Sequence, residues 1–175
     1  KKMDNDVIKK TPDIVLIEFG GNDCDFNWKN IADDPDSKHK PKTDILTFRD
    51  ILSDMIYTFD ESNITPVLMT LPPIDYKRYF NWITKGNETA EKNVLKWLGS
   101  KIEIYNWHRK YSEMITRVAH KTKTSLIDVR SGILKQNDYS KFLCMDGIHP
   151  NMEGHSLIAS IILNFVKDNY SFLLI

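Results

Sequence analysis

The sequence predicts an α/β fold, a parallel sheet covered by helices. Two observations carry that expectation: buried-type apolar runs alternate with segments of helical period, and the polar residues suited to chemistry fall just after the strand candidates. Residues 13–19, 65–71 and 124–129 are strand candidates, because their apolar residues run consecutively instead of alternating with polar ones. Such runs suit strands buried on both faces. After the first strand, Ile45, Phe48, Leu52, Met55, Ile56 and Phe59 recur at three- and four-residue steps, the mark of one helical face. A second helix is expected over residues 102–120. A third carries Leu157, Ile158, Ile161, Ile162 and Phe165, with Asn151 as its expected N-cap. Strand and helix in alternation are the pattern of a parallel sheet.

Two stretches read as long loops after strand ends. Residues 27–43 hold Asp33, Asp34, Pro35 and Asp36, and residues 72–99 open on Pro72-Pro73. The second stretch carries Tyr76, Tyr79, Phe80, Trp82 and Trp97, an aromatic density that argues against disorder. Either it pads the core or it walls a binding site. The position after a strand favours the wall, so Tyr76, Tyr79 and Trp82 are expected substrate contacts.

The chain has 175 residues, 41% of them hydrophobic, enough for one domain with a core. Basic and acidic residues balance at 24 each, so no net field draws the protein to nucleic acid or an anionic membrane. The apolar runs are too short for a membrane span. Lys1 opens no secretory pattern, which leads to the expectation of a cytoplasmic address. The histidines show no zinc-type spacing, and neither metal nor cofactor is expected. The first strand candidate lacks a partner on its far edge, because residues 1–11 are polar. Either upstream strands are missing, making the single domain 1–175 N-terminally incomplete, or another chain pairs with that edge.

Two constellations carry chemistry. Gly20-Gly21-Asn22-Asp23 follows the first strand, at the sheet edge where open α/β folds bind ligands. The glycines allow close approach, and an Asn amide there can donate to a developing oxyanion. The same residues also suit an ordinary turn. Asp146-Gly147-Ile148-His149 precedes the last helix. An Asp three residues before a His in a turn can accept from Nδ1 and leave Nε2 as a general base, although Asp-Gly is a turn dipeptide as well.

Taken together, Gly20-x-Asn22-Asp23 and, about a hundred and twenty residues later, Asp146-x-x-His149 resemble the SGNH hydrolase superfamily, the GDSL-like lipases and esterases. The resemblance implies a flavodoxin-like three-layer α/β/α domain and hydrolysis of a carboxylic ester of a small molecule, lipid or carbohydrate. It assigns the oxyanion hole to Asn22, the catalytic acid and base to Asp146 and His149, and places Gly21 and Asp23 beside the substrate. It also implies a nucleophilic serine in a Gly-Asp-Ser motif, which this chain lacks, and two strands before residue 13, where only twelve residues stand. The resemblance thus covers about two-thirds of a family domain, and the serine is expected upstream.

Within the chain, Ser37 follows Asp36 but lies outside any strand end, and Ser131 and Ser140 lack a motif. Cys24, two residues from Asn22, offers a second nucleophile with His149 as its base, which would make a thiol hydrolase or acyltransferase. Cys24 and Cys144 are expected to be reduced and to face each other across the cleft. A third reading keeps the cleft as a binding module without turnover.

Overall fold

The computed structural model describes residues 2–174. In chain order the elements are α1 (Lys2–Asp6), β1 (Ile14–Ile17), α2 (Trp28–Asp33), α3 (Ile45–Glu61), β2 (Thr65–Met69), α4 (Tyr76–Thr84), α5 (Glu88–Leu98), α6 (Ile102–Thr122), β3 (Ser125–Ile127), α7 (Val129–Leu134) and α8 (Met152–Asn169). Short 3-10 turns join several of them. The strands lie in the order β1-β2-β3, all parallel, with Leu16 beside Val67 and Leu68 beside Leu126.

Strand periodicity assigns the two faces. Ile17 and Leu68 point into one core with Phe48, Leu52, Ile56 and Phe59 of α3 and Tyr111, Ile115 and Val118 of α6. Val67, Met69 and Ile127 point the other way, against Val129 and Ile133 of α7 and Ile158 of α8. The result is the three-layer α/β/α arrangement expected from the sequence. The strands end sooner than the apolar runs do, at Ile17, Met69 and Ile127.

β1 corrects one expectation. It is not buried on both faces: Leu16 is 43% exposed, and Phe19 just beyond it is 53% exposed. Among the described residues β1 is an edge strand, and the core beneath α7 and α8 is built on β2 and β3, with Ile14 of β1 at its margin. Consecutive apolar residues recorded a burial that the described residues do not supply.

The two stretches read as loops are the larger correction. Residues 27–43 contain α2, and residues 72–99 contain α4 and α5. Each helix begins on a side-chain cap: Asn27 accepts from the Asn30 amide, Asp75 from the Lys77 and Arg78 amides, and Asn87 from the Ala90 amide. Gly99 ends α5 with φ +76, a conformation that favours glycine. Phe26, Ile31, Ile74, Tyr79, Phe80, Val94 and Ile104 then form a separate apolar core, so the helices make a cap beyond the C-terminal ends of β1 and β2.

Candidate active site

The turn after β1 is closed by the Cys24 amide donating to the Gly20 carbonyl at 2.9 Å. Gly20 has φ +122, and a Cβ there would press on Phe48 and Leu71 at 3.2 and 3.3 Å, so this corner requires glycine. Gly21 has open space around its missing Cβ and lines the cleft beside Asn22. Asn22 is exposed, and its side-chain amide has no hydrogen-bond partner among the described residues. That leaves the amide free to donate into the cleft. Asp23 turns away and accepts from the Thr43 hydroxyl at 2.8 Å, so it braces the turn and does not line the cleft.

The second turn is built as tightly. Leu143 and Pro150 form an antiparallel bridge, and the Cys144 amide donates to the His149 carbonyl at 2.8 Å. Asp146 Oδ1 accepts from the amides of Ile148 and His149 at 2.9 and 3.1 Å, and Oδ2 accepts from His149 Nδ1 at 2.6 Å. Burial pushes the Asp146 carboxyl up, but the hydrogen bonds from the imidazole and the two amides outweigh it and hold the group below its ordinary range. The carboxylate side chain is 14% exposed and the imidazole 72%. Nδ1 is therefore occupied, and Nε2 faces open space at the cleft. Asn151 caps α8 by accepting from the Gly154 amide at 2.9 Å, fixing the helix that follows.

A cleft of about 780 Å³ connects the two turns. That size lies within the range of small-molecule sites. Asn22 and His149 both line it, at the end of the sheet where the cap begins. Its deeper wall is aromatic: Phe26, Trp28, Tyr79, Trp97 and Trp107. The polar tips of Trp28, Tyr79 and Trp107 are consumed inside the protein. Asp25 Oδ1 accepts from Trp28 Nε1 at 2.7 Å and from the Tyr79 hydroxyl at 2.8 Å, while Trp107 Nε1 donates to the Cys24 carbonyl at 2.9 Å. What these three rings and Phe26 present to the cleft is mainly hydrocarbon.

Of the expected aromatic contacts, Tyr79 lines the cleft, but Tyr76 and Trp82 do not, and Trp82 is 58% exposed. The helical period explains Trp82: the inward face of α4 is Tyr76, Tyr79, Phe80 and Ile83, and residue 82 falls on the opposite side, whereas Tyr76 packs on the cap core without reaching the cleft. The sequence reading missed Phe26, Trp28 and Trp107 as wall residues. Their signal was available, since Asp25 and Trp28 sit three residues apart after the Gly20 turn and Trp107 lies on the predicted helix 102–120. Glu18 also lines the cleft; the residue is exposed, and the partial desolvation of its carboxyl holds it above the ordinary range.

Cys24 does not suit the role of nucleophile. Its thiol donates to the Gly21 carbonyl at 3.2 Å, and burial, then the charges of Asp25 and Asp23, push it up to about 12. A thiol so held is mostly protonated at neutral pH. Cys144 donates instead to the Pro150 carbonyl at 3.6 Å, and both cysteines are free. Ser37, Ser131 and Ser140 are all absent from the cleft lining.

A parallel α/β sheet with an Asp-His pair and an Asn amide at its C-terminal edge defines an SGNH-type hydrolase scaffold. A family model for GDSL-like lipase/acylhydrolase matches residues 1–157, and the chain belongs to that family. It is 21% identical over 157 residues to the GDSL esterase/lipase WDL1 of Oryza sativa subsp. japonica, covering 90% of this chain and 54% of the relative. Against the GDSL esterase/lipase CPRD49 of Arabidopsis thaliana it is 23% identical over 158 residues, covering 90% of this chain and 55% of the relative. The chain thus spans about half the length of these curated relatives. The fold is similar to a lipase/acylhydrolase from Enterococcus faecalis, with a TM-score of 0.66 at 20% identity over 95% of this chain and 67% of that one. It is also similar to the acetyl xylan esterase AlAXEase, with a TM-score of 0.62 at 23% identity over 94% of this chain and 72% of that one.

Proposed function

We propose that this chain carries the base, the orienting acid and the oxyanion donor of a serine-dependent ester hydrolase, with the serine contributed by residues outside these 175. The observation that carries the reading is the shared cleft. A 2.6 Å Asp146–His149 hydrogen bond leaves Nε2 turned to the space that the free Asn22 amide also borders. In the proposed cycle His149 Nε2 takes the proton of the serine hydroxyl as it attacks the ester carbonyl. Asp146 fixes the tautomer and stabilises the imidazolium, and the Asn22 amide donates to the oxyanion of the tetrahedral intermediate. His149 then returns the proton to the leaving alcohol, and water repeats the sequence to release the acid.

The spent polar tips of Trp28, Tyr79 and Trp107 give that part of the wall an apolar face, which suits an ester with an apolar acyl or alcohol part. The free edge of β1, with Leu16 and Phe19 exposed, is the proposed place of pairing with further strands of the same domain or another chain. An aryl ester assay on the full-length protein, with fluorophosphonate labelling and peptide mapping, tests the reading. Turnover with the label on a serine outside these residues is expected. Labelling of Cys24 or of a serine within the chain contradicts it.

The lack of a serine at the cleft lining, among the described residues, favours one second reading: a cleft that binds esters without turning them over. Ligand binding by a full-length protein that neither hydrolyses aryl esters nor takes the label supports that alternative.

A further inference from the structure

His108 and Arg130 form a buried pair at the floor of the cleft, outside the machinery assigned above. His108 comes from α6 and lines the cleft; Arg130 comes from the first turn of α7. Both are nearly out of solvent, at 9% and 8% exposure. The α7 turn is fixed to the sheet, because the Arg130 amide donates to Thr70 Oγ1 at 3.0 Å and that hydroxyl donates to Asp128 at 3.0 Å. The guanidinium then stacks on Tyr105, 4.9 Å from the ring centroid, and Nη1 reaches the Pro72 carbonyl at 3.5 Å and His108 Nδ1 at 3.4 Å. No carboxylate pairs with it among the described residues, and Nη2 has no partner at all.

The chemistry of the pair settles the imidazole. A guanidinium has donors and no acceptor, so the Nδ1 that faces it must present a lone pair. Burial, then the Arg130 charge, pushes the His108 pKa down to about 3, so the ring is neutral across the physiological range. Its one proton is therefore on Nε2. That nitrogen has no protein partner among the described residues, yet the only fully buried side-chain nitrogen or oxygen left unpartnered there is Arg130 Nη2. Nε2 must accordingly open onto the cleft that His108 lines.

We infer that His108 is a substrate-binding residue whose Nε2–H, fixed in that tautomer by Arg130, donates a hydrogen bond to an uncharged oxygen of the ligand, such as a carbonyl. The inference rests on the reading of the cleft as an ester site. A neutral imidazole can polarise a carbonyl without transferring a proton, and the unpaired Arg130 charge behind the ring strengthens the donor. Beside the hydrocarbon faces of Phe26 and Trp107 a directed N–H orients the ligand, because leaving it unmatched costs more than a matched pair gains. His108 would thus select ligands that bring an acceptor to the cleft floor over equally apolar ones that do not.

The test uses a matched pair of probes, acetophenone and ethylbenzene, which differ chiefly in the carbonyl oxygen, and long-range proton–nitrogen NMR of the histidine rings in the intact protein. His108 should appear as the neutral Nε2–H tautomer, acetophenone should shift its Nε2 resonance, and acetophenone should bind on the order of two- to tenfold tighter than ethylbenzene. His108→Phe should erase that preference, while His108→Gln, which keeps a side-chain N–H, should retain part of it. An Nδ1–H tautomer, an imidazolium at neutral pH, or equal binding of the two probes to the wild-type protein overturns the role of His108 and leaves the ester reading standing. Binding of neither probe overturns the cleft reading, and this inference with it.

Discussion

The Gly147 carbonyl accepts a hydrogen bond from the Asp75 amide at 2.8 Å, joining the turn that carries Asp146 and His149 to the start of α4. Asp75 is also the N-cap of that helix, and Arg78 of its first turn reaches back to the Ser140 carbonyl at 2.9 Å. The cap helices and the Asp-His turn are therefore one mechanical unit. A change in either should be felt in the other.

Gly147→Ala should expose that coupling. Gly147 has φ +78, and a Cβ would meet the Asp75 carbonyl at 2.6 Å and the Tyr79 amide at 2.9 Å, both backbone atoms that cannot swing aside. Overpacking and the left-handed backbone together should cost about 1–3 kcal/mol of stability. Denaturant unfolding would measure it; an unchanged midpoint contradicts the packing described.

Asp128 should make the fold acid-sensitive. Burial raises its carboxyl, but hydrogen bonds from Ser131 and Thr70 outweigh this and hold it below its ordinary range. A carboxyl lowered in the folded state adds stability that is present above its unfolded value, near 4, and is lost as pH falls through the folded value. Asp128→Asn should therefore be less stable than wild type at neutral pH, with the gap closing as pH falls through the lowered folded value. Thermal unfolding at a series of pH values checks this, and a gap that persists in acid counts against the assignment.

Cys24 should resist alkylation. With its thiol moved from 9.0 to about 12, the thiolate fraction at pH 8 falls about a thousandfold. The greater nucleophilicity of a more basic thiolate returns part of that. Iodoacetamide should modify Cys24 more than tenfold slower in the folded protein than in urea, as read by peptide mass spectrometry. Equal rates would mean an open, activated thiol and would revive the cysteine reading.

The aromatic wall should set ligand preference. Trp107 stands between Phe26 and Tyr111, with its indole nitrogen spent on the Cys24 carbonyl. Trp107→Ala should remove much of that wall and raise KM for aryl and medium-chain esters on the order of tenfold or more, with a smaller effect on acetate esters. A steady-state comparison across an acyl series distinguishes this from general unfolding, which would depress every substrate alike.

The sheet was legible because its strands are apolar runs and its long helices carry a regular buried stripe, as Phe48, Leu52, Ile56 and Phe59 do on α3. The two turns at the cleft were legible because Gly20, Asn22, Asp146 and His149 are residue types that a specific backbone and the proposed chemistry require. The cap was not. Pro72-Pro73 and the polar run at 33–36 read as loop, while the caps Asp75 and Asn87 and the short stripe of Tyr79, Phe80 and Ile83 were too local to outweigh them. Helices of six to eleven residues take their stability from packing on one another, and that partnership is set by tertiary contacts. The His108–Arg130 pair was hidden for a similar reason, since the two residues lie on different elements and meet only in the fold.

The most direct test of the central claim is the turnover number of the full-length protein on an aryl ester, compared between wild type, Asn22→Ala and His149→Ala. Loss of a single oxyanion donor typically lowers turnover about a hundred- to a thousandfold, and loss of the base at least as much. A drop of that size in both variants, with unchanged unfolding midpoints, is the predicted result. Turnover that survives either substitution within tenfold would remove that residue from the chemistry and contradict the account.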